Sequence, residues 1–193
     1  MRSLLFAAVA FTLIASLVSD GARADIEGDR FTSEDWHVTL RAPSHWQISE
    51  RTSYPNVLLW MTHAEPEGRM LLSAEMRVTG GDAEAYAKAT SAVLVQLGFT
   101  VRAPQRHAGT GAYYFDFDNC GDASDCTGKV FMRQAFLVSG RVGYALTLAT
   151  PDVHGRGRLL RAFDFALSHI RIDRTGAAAP MPQPPVPPTE PPK

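Results

Sequence analysis

The sequence predicts an α+β fold in one domain, and three of its patterns indicate that class. Several short segments alternate apolar and polar residues, which is the period of a half-buried strand. Two longer segments repeat apolar residues at three- and four-residue spacing, which is the period of an amphipathic helix. Short turn sequences separate the later strands and are typical of hairpins.

The predicted strands lie on either side of the first of these helices. Strands are predicted at 36–40, from Trp46 onward, at 57–61 and 70–78, and then at 112–118, 130–139 and 142–150. Residues 99–102 are expected to be extended. Gly140 and Arg141 fit a tight hairpin turn between the last two strands.

The first predicted helix, 82–97, is marked at both ends. Asp82 is a good N-cap, Glu84 suits the positive end of the helix dipole, and Gly98 is typical of a helix end. The core-facing stripe of this helix comprises Ala83, Tyr86, Ala87, Thr90, Leu94 and Leu97.

A second helix is predicted after Pro151 and Asp152, ending near Ile172. One apolar stripe supports it, made of Leu159, Leu160, Phe163, Leu167 and Ile170.

Composition excludes some classes of function. The 193 residues carry 19 basic and 20 acidic side chains, so a general nucleic-acid binder, which needs a basic excess, is not expected. Two cysteines are too few for a disulfide scaffold or a four-thiolate metal site.

Residues 1–24 have the pattern of a secretory signal peptide. Arg2 provides a positive charge, an apolar run follows from Leu4 to Val18, and Ala22-Arg23-Ala24 is a typical cleavage sequence. The apolar run is shorter than the roughly 20 residues that a membrane span requires. We therefore expect a periplasmic or secreted protein, cleaved after Ala24, with no membrane span.

The mature chain is predicted to have two parts, a folded domain at 25–174 and a tail at 175–193. Eight of the thirteen prolines lie between Pro180 and Pro192, so the tail is expected to be extended and solvated. A spacer or a ligand for a proline-binding domain is the alternative to an end without a partner.

Cys120 and Cys126 flank a short Gly/Asp/Ser-containing loop. In an oxidising compartment the simplest expectation is a structural disulfide that closes this loop. A redox-active pair is the alternative, but such pairs usually have two intervening residues at a helix start.

Several segments resemble the PsbP-like family and its bacterial DcrB-like relatives, whose fold the yeast Ran-binding protein Mog shares. The resemblance spans about residues 33–172. It rests on the following segments: Leu40-Arg41-Ala42-Pro43-Ser44-His45-Trp46, Ala85-Tyr86-Ala87, Leu97-Gly98-Phe99, Phe131-Met132-Arg133-Gln134-Ala135-Phe136, Gly143-Tyr144-Ala145-Leu146-Thr147-Leu148 and Phe163-Asp164-Phe165-Ala166-Leu167.

This resemblance implies an antiparallel β-sheet flanked by helices, an α/β/α sandwich. It also implies a non-enzymatic binding or assembly module, because the shared positions are core and turn residues. No catalytic residues, metal site or cofactor are carried over.

The densest polar cluster comprises Asp116, Asp118, Asn119, Asp122 and Asp125. Carboxylates on a loop can bind Ca²⁺, and calcium-dependent adhesion is one alternative function. The EF-hand pattern fails, however, because Thr127 stands where a bidentate glutamate is needed. A solvated acidic loop is the favoured interpretation.

No motif for an enzyme is present, and an envelope hydrolase is the other alternative. It would need His37, His45 or His107 to lie within hydrogen-bond reach of a carboxylate in a pocket. Gly155-Arg156-Gly157-Arg158 suggests phosphate binding at a helix start, but it lacks the strand–helix context of phosphate-binding loops.

Arg156, Arg158 and Arg161 lie at the start of the second helix, where the helix dipole disfavours cations. They are the candidate partner-binding residues, for an acidic envelope protein or an anionic envelope polymer. A solvated helix face with salt-bridged arginines is the alternative. The sequence specifies neither the partner nor the oligomeric state.

Overall fold

The structure is a computed structural model that describes residues 24–50, 56–77, 81–120, 128–152 and 154–173. The predicted signal peptide, apart from Ala24, and the proline-rich tail lie outside these residues. The strands are β1 (Ala24–Glu27), β2 (Arg30–Ser33), β3 (Val38–Arg41), β4 (Gln47–Glu50), β5 (Val57–His63), β6 (Gly68–Met76), β7 (Thr100–Val101), β8 (Gln105–Arg106), β9 (Tyr113–Asp118), β10 (Phe131–Ser139), β11 (Val142–Thr150) and β12 (Arg171–Ile172). The helices are α1 (Ala83–Gln96) and α2 (Arg156–Ser168).

The strands form two antiparallel sheets, which confirms the predicted α+β class. The large sheet has the order β4-β5-β6-β11-β10-β9-β7, and β8 also pairs with β9. The small sheet has the order β1-β2-β3-β12. The predicted hairpin turn is confirmed, because Ser139 pairs with Val142 and Gly140 has a φ of 59°.

The two helices cover opposite faces of the large sheet. Tyr144, Leu146 and Leu148 of β11 point into the main core, together with α2 and the small sheet. Ala145, between them, points into a second cluster with α1. The sandwich therefore has α1 on one side and α2 with the small sheet on the other.

Helix α1 begins as predicted and ends at Gln96, one residue before the predicted end. The Asp82 carboxylate accepts the backbone N–H of Ala85 at 2.8 Å, and Gly98 follows the helix with a φ of 87°. The assignment of Leu97 to the core-facing stripe was wrong, because this residue is 53% exposed. Leu97 is the C-cap residue, so its side chain has left the buried face of the helix.

Two predicted boundaries were wrong. Trp36 and His37 do not belong to β3, because the N–H of His37 donates to the carbonyl of Glu34 and closes a turn. Helix α2 ends at Ser168 and not near Ile172, since Arg171 and Ile172 pair with β3 as strand β12. Sheet pairing there replaces a further helical turn.

The hairpin of β1 and β2 was not predicted. Each of its strands has four residues, too few to show a periodic pattern. The backbone at Gly28 has a φ of 61°, which glycine adopts without strain. Phe31 of this hairpin is fully buried, so the small sheet contributes directly to the main core.

Candidate functional site

Helix α2 is positioned by contacts with the loops around its first turn. Its N-cap residue, Gly155, provides no side-chain cap, but its N–H donates to the Asp152 carboxylate at 2.7 Å. The hydroxyl of Thr150 donates to the carbonyl of Glu67 at 2.6 Å and accepts the N–H of Asp152 at 2.9 Å. The start of α2 is therefore held to the end of β11 and to the turn before β6.

Gly155 makes this close approach possible. A Cβ atom at that position would lie 2.1 Å from the Cβ of Pro66, which is far inside a normal contact. The turn that contains Pro66 and the helix start therefore meet where only glycine fits.

The structure separates the three candidate arginines. The guanidinium of Arg156 lies 4.9 Å from the centre of the Phe131 ring, so this side chain packs against β10. Arg158 and Arg161 are exposed. Among the described residues, no carboxylate lies within 4.0 Å of either guanidinium, so this part of the chain has the solvated helix face of the alternative interpretation without its salt bridges.

Two residues that sequence reasoning missed continue this surface. Phe165 is 37% exposed, and its ring stacks on that of His169 with the centres 4.0 Å apart. The Nδ1 atom of His169 lies 2.8 Å from the carbonyl of Phe165, so Nδ1 carries the proton and donates. The helical spacing of Arg158, Arg161, Phe165 and His169 could have indicated this set. We call these four residues the α2 outer face.

A shallow depression of about 460 Å³ adjoins the α2 outer face at Arg158. Its lining comprises Ala64, Glu65, Pro66, Glu67, Pro151, Asp152 and Arg158. Glu65 and Glu67 are exposed, and Glu67 lies 3.5 Å from Arg69. A phosphate at this helix start would meet the Asp152 carboxylate, which already accepts the N–H of Gly155. The geometry therefore does not support the phosphate interpretation of the Gly-Arg-Gly-Arg segment.

The described part of the acidic cluster binds protein groups. Asp116 accepts two hydrogen bonds from Arg133, at 2.6 and 3.0 Å. Asp118 lies 3.0 Å from the ammonium of Lys129 and accepts the N–H of Cys120. Asn119 accepts the N–H of Val130 at 2.8 Å. No group of three metal-ligating side chains exists within the described residues, and Asp122 and Asp125 lie outside them.

The predicted disulfide joins a described cysteine to one outside the described residues. Cys120 lies in the turn after β9, and Cys126 is in the segment 121–127, outside the described residues. The Cys120–Cys126 pairing stays a prediction.

Among the described residues, His107 is the histidine that lies within 4.0 Å of a carboxylate. Its Nε2 atom lies 3.7 Å from the carboxylate of Asp164 on α2, and its Nδ1 atom lies 3.0 Å from the hydroxyl of Thr110. A hydroxyl, an imidazole and a carboxylate thus lie in sequence, in the chemical order of a hydrolase triad.

The surroundings of this group favour a structural role. The N–H of His107 donates to the carbonyl of Ala112, and the N–H of Ala112 donates to the Thr110 hydroxyl at 3.3 Å. Thr110 therefore closes the turn between β8 and β9. Arg133 lies 3.9 Å from the Asp164 carboxylate, which links the same turn and β10 to α2.

Arg133 is the centre of this link. Its side chain is 14% exposed, and its guanidinium lies 4.6 Å from the centre of the Tyr114 ring. Burial lowers its pKa, but the hydrogen bonds and charge of Asp116 outweigh burial and raise the pKa above the usual value. Arg133 therefore stays charged and paired.

His37 and His45 do not form a site. Both have left-handed backbones, with φ of 48° and 67°. His37 accepts the N–H of Asp173 through its carbonyl, and no side-chain hydrogen bond joins the two histidines in the part of the chain that the structure describes. Of the helices in the described ranges, neither α1 nor α2 has the length and hydropathy of a membrane-spanning segment.

Together these features define an antiparallel α/β/α sandwich with an exposed basic and aromatic helix face. The sequence matches no family model and no curated protein. Solved structures do match. Cyanobacterial PsbP (CyanoP) from Synechocystis sp. PCC 6803 is 11% identical, with a TM-score of 0.52 over 83% of this chain and 99% of that chain. The Ran-binding protein Mog1p from Saccharomyces cerevisiae is 9% identical, with a TM-score of 0.55 over 81% of this chain and 99% of that chain. This chain therefore has the PsbP/Mog1-like fold, as the resemblance implied.

Proposed function

We propose that this protein is an exported, non-enzymatic binding or assembly module of the bacterial cell envelope, which docks its partner on the α2 outer face. The observation that carries this proposal is the pair Arg158 and Arg161, exposed on one helix face without a carboxylate within 4.0 Å in the described chain. Exposed arginines next to an exposed aromatic ring are typical of protein interfaces.

The energetics of α2 support this assignment. Arg158 stands in the first turn of the helix, where a cation loses about 0.3–1 kcal/mol through the helix dipole. An acidic or neutral residue would suit the first turn better, so the arginine is placed against local preference. A docking role, in which the guanidinium meets a carboxylate of the partner, gives a reason for that placement.

A non-enzymatic role is supported by how the other polar groups are used. Asp116, Asp118 and Arg133 pair with each other or with neighbouring residues, and Thr110 accepts a backbone N–H. Mog1p, which has the same fold, is described as a Ran-binding protein, so one chain of this fold acts by binding another protein. The export part of the proposal rests on the signal-peptide pattern at 1–24.

Charge reversal tests the proposal. Mature protein, residues 25–193, is cross-linked in envelope extract at moderate salt, and the yield of cross-linked product is compared with that of Arg161→Glu. We expect a loss of most of the product, because reversal turns attraction of an acidic partner into repulsion. The matched control is Arg102→Glu, an exposed arginine between β7 and β8. Equal losses in both variants, or no loss in Arg161→Glu, would reject the α2 outer face.

One observation favours a second candidate, an envelope hydrolase that uses Thr110, His107 and Asp164. Its test is ester hydrolysis with p-nitrophenyl acetate by the native protein and by His107→Ala and Thr110→Val. Equal rates in all three proteins would exclude the triad. A loss in both variants, with unchanged melting temperature, would favour it over the binding module.

A further inference from the structure

The depression beside Arg158 carries charges of both signs, and this narrows the class of partner. Glu65 and Arg158 are both exposed and both line the depression. No ion pair within 4.0 Å joins them in the described structure. The opposite charges thus face the same open space without neutralising each other.

From this arrangement we infer that the partner is a protein surface with a carboxylate next to a cation, and not an anionic polymer. This inference rests on the proposed function and names the partner class for the same site. The partner's carboxylates face Arg158 and Arg161, and its cation faces Glu65 and the neighbouring carboxylates of the depression.

A protein surface and an anionic polymer differ in how their charges are distributed. An anionic polymer presents the same sign at every repeat, so binding at Arg158 also brings negative charge next to Glu65, Glu67 and Asp152. Juxtaposed like charges oppose binding. A protein surface can place a carboxylate and a cation next to each other, and so it can satisfy both sides of the depression.

The aromatic part of the α2 outer face also favours a protein partner. Phe165 is 37% exposed and stacks on His169 in the direction of the helix end. Its ring offers apolar contact area that a charged polymer does not need. Aromatic residues next to arginine are enriched at protein interfaces.

Neutralising Glu65 distinguishes a protein partner from an anionic polymer, because the two partners predict opposite changes in binding. Phe165 is replaced by the photo-cross-linker p-benzoylphenylalanine in the mature chain, and the cross-linked species from envelope extract are quantified and mapped by mass spectrometry. In this background, Glu65→Gln is compared with Arg158→Gln. Polyglutamate is measured in parallel as a polyanion of known structure.

We expect Glu65→Gln and Arg158→Gln each to lower cross-linking to a protein by about two- to fivefold, because each removes one charge pair at the rim of an interface. Polyglutamate binding is expected to fall with Arg158→Gln and to rise with Glu65→Gln.

The inference is overturned if Glu65→Gln strengthens capture from the extract, or if the cross-linked species are only glycan or lipid. In those cases, a loss with Arg158→Gln would leave the α2 outer face as the site and reject only the partner class. A yield that neither variant changes would reject the proposed function itself.

Discussion

The two helices occupy equivalent layers but are specified in opposite ways. Helix α1 has a capping carboxylate at Asp82, an acidic residue in its first turn and a glycine after its end. Helix α2 has no side-chain cap from its N-cap residue and no acidic residue in its first turn, which contains arginines instead. The ends of α1 are specified by local sequence preferences. The position of α2 is specified by the burial of the apolar stripe of α2 and by the loops that contact its first turn.

This difference indicates where selection for a function can override selection for stability. A helix held in the core by Leu159, Phe163 and Leu167 tolerates an unfavourable first turn. The residues that violate local preference are then candidates for a role outside the fold. Helix α1 shows no such violation at its ends.

Removing the largest buried side chain of α2 should have the largest effect. Phe163 is fully buried in the main core, so Phe163→Ala is expected to lower the free energy of unfolding by about 3–5 kcal/mol. Urea denaturation followed by circular dichroism measures this. The counterpart on α1 is Val93→Ala, at a residue that is 51% exposed, where a change within about 0.5 kcal/mol is expected. Similar losses of unfolding free energy in Phe163→Ala and Val93→Ala would contradict the view that core burial holds α2 in place.

Alkaline pH should weaken the α2 side of the sheet through Tyr144. Burial raises the pKa of Tyr144 from 10.0 to about 12, and its hydroxyl donates to the carbonyl of Trp36 at 2.7 Å. Because the folded state keeps this hydroxyl neutral, its contribution is complete below pH 10 and is lost as the pH rises toward about 12. The loss can reach about 2–3 kcal/mol.

Tyr86 of α1 should also make the folded state less stable as the pH rises. Burial, followed by the hydrogen bond and charge of Glu75, raises its pKa. Urea midpoints at several pH values between 8 and 12 therefore should fall with pH in the native protein, and less steeply in Tyr144→Phe. An unchanged slope in that variant would exclude Tyr144 as a source.

The start of α2 offers a matched pair of glycine substitutions. Gly155→Ala is expected to destabilise the fold by about 1–3 kcal/mol, because the added Cβ would lie 2.1 Å from Pro66. Gly157→Ala places a methyl group where no atom lies within 4 Å, inside the same helix. It should stabilise by about 0.5–1 kcal/mol. Thermal unfolding of the two variants should therefore shift in opposite directions.

The cap of α1 is expected to contribute less to stability than the close contact at Gly155. Asp82→Ala removes the acceptor for the N–H of Ala85 and should lower stability by about 1 kcal/mol. Asp82→Asn keeps a capping oxygen and should stay close to the native value. If both variants lost the same amount in urea denaturation, the carboxylate charge and not the cap would be responsible.

The sequence predicted most of the fold because the long elements carry clear patterns. Helix α1 and strands β9, β10 and β11 were found with ends within about two residues, as boundary uncertainty allows. The small sheet was largely missed, since β1, β2 and β12 are too short for a pattern and depend on tertiary pairing.

The candidate site was predicted only in part. Arg158 and Arg161 were identified from their position at a helix start, and the structure shows them exposed. The contact of Arg156 with Phe131 could not be foreseen, because it depends on how α2 crosses β10. Glu65 is remote in sequence from α2 and joins the depression only through the packing of its turn.

Strand β12 ties the completion of the small sheet to the end of chain synthesis. It pairs with β3, roughly 130 residues earlier, and the N–H of Asp173 donates to the carbonyl of His37. The small sheet therefore cannot be completed until almost all of the domain has been synthesised. A chain released in stages, from the ribosome or across a membrane, would hold β1, β2 and β3 without their last strand, and domain closure would be a late step in folding.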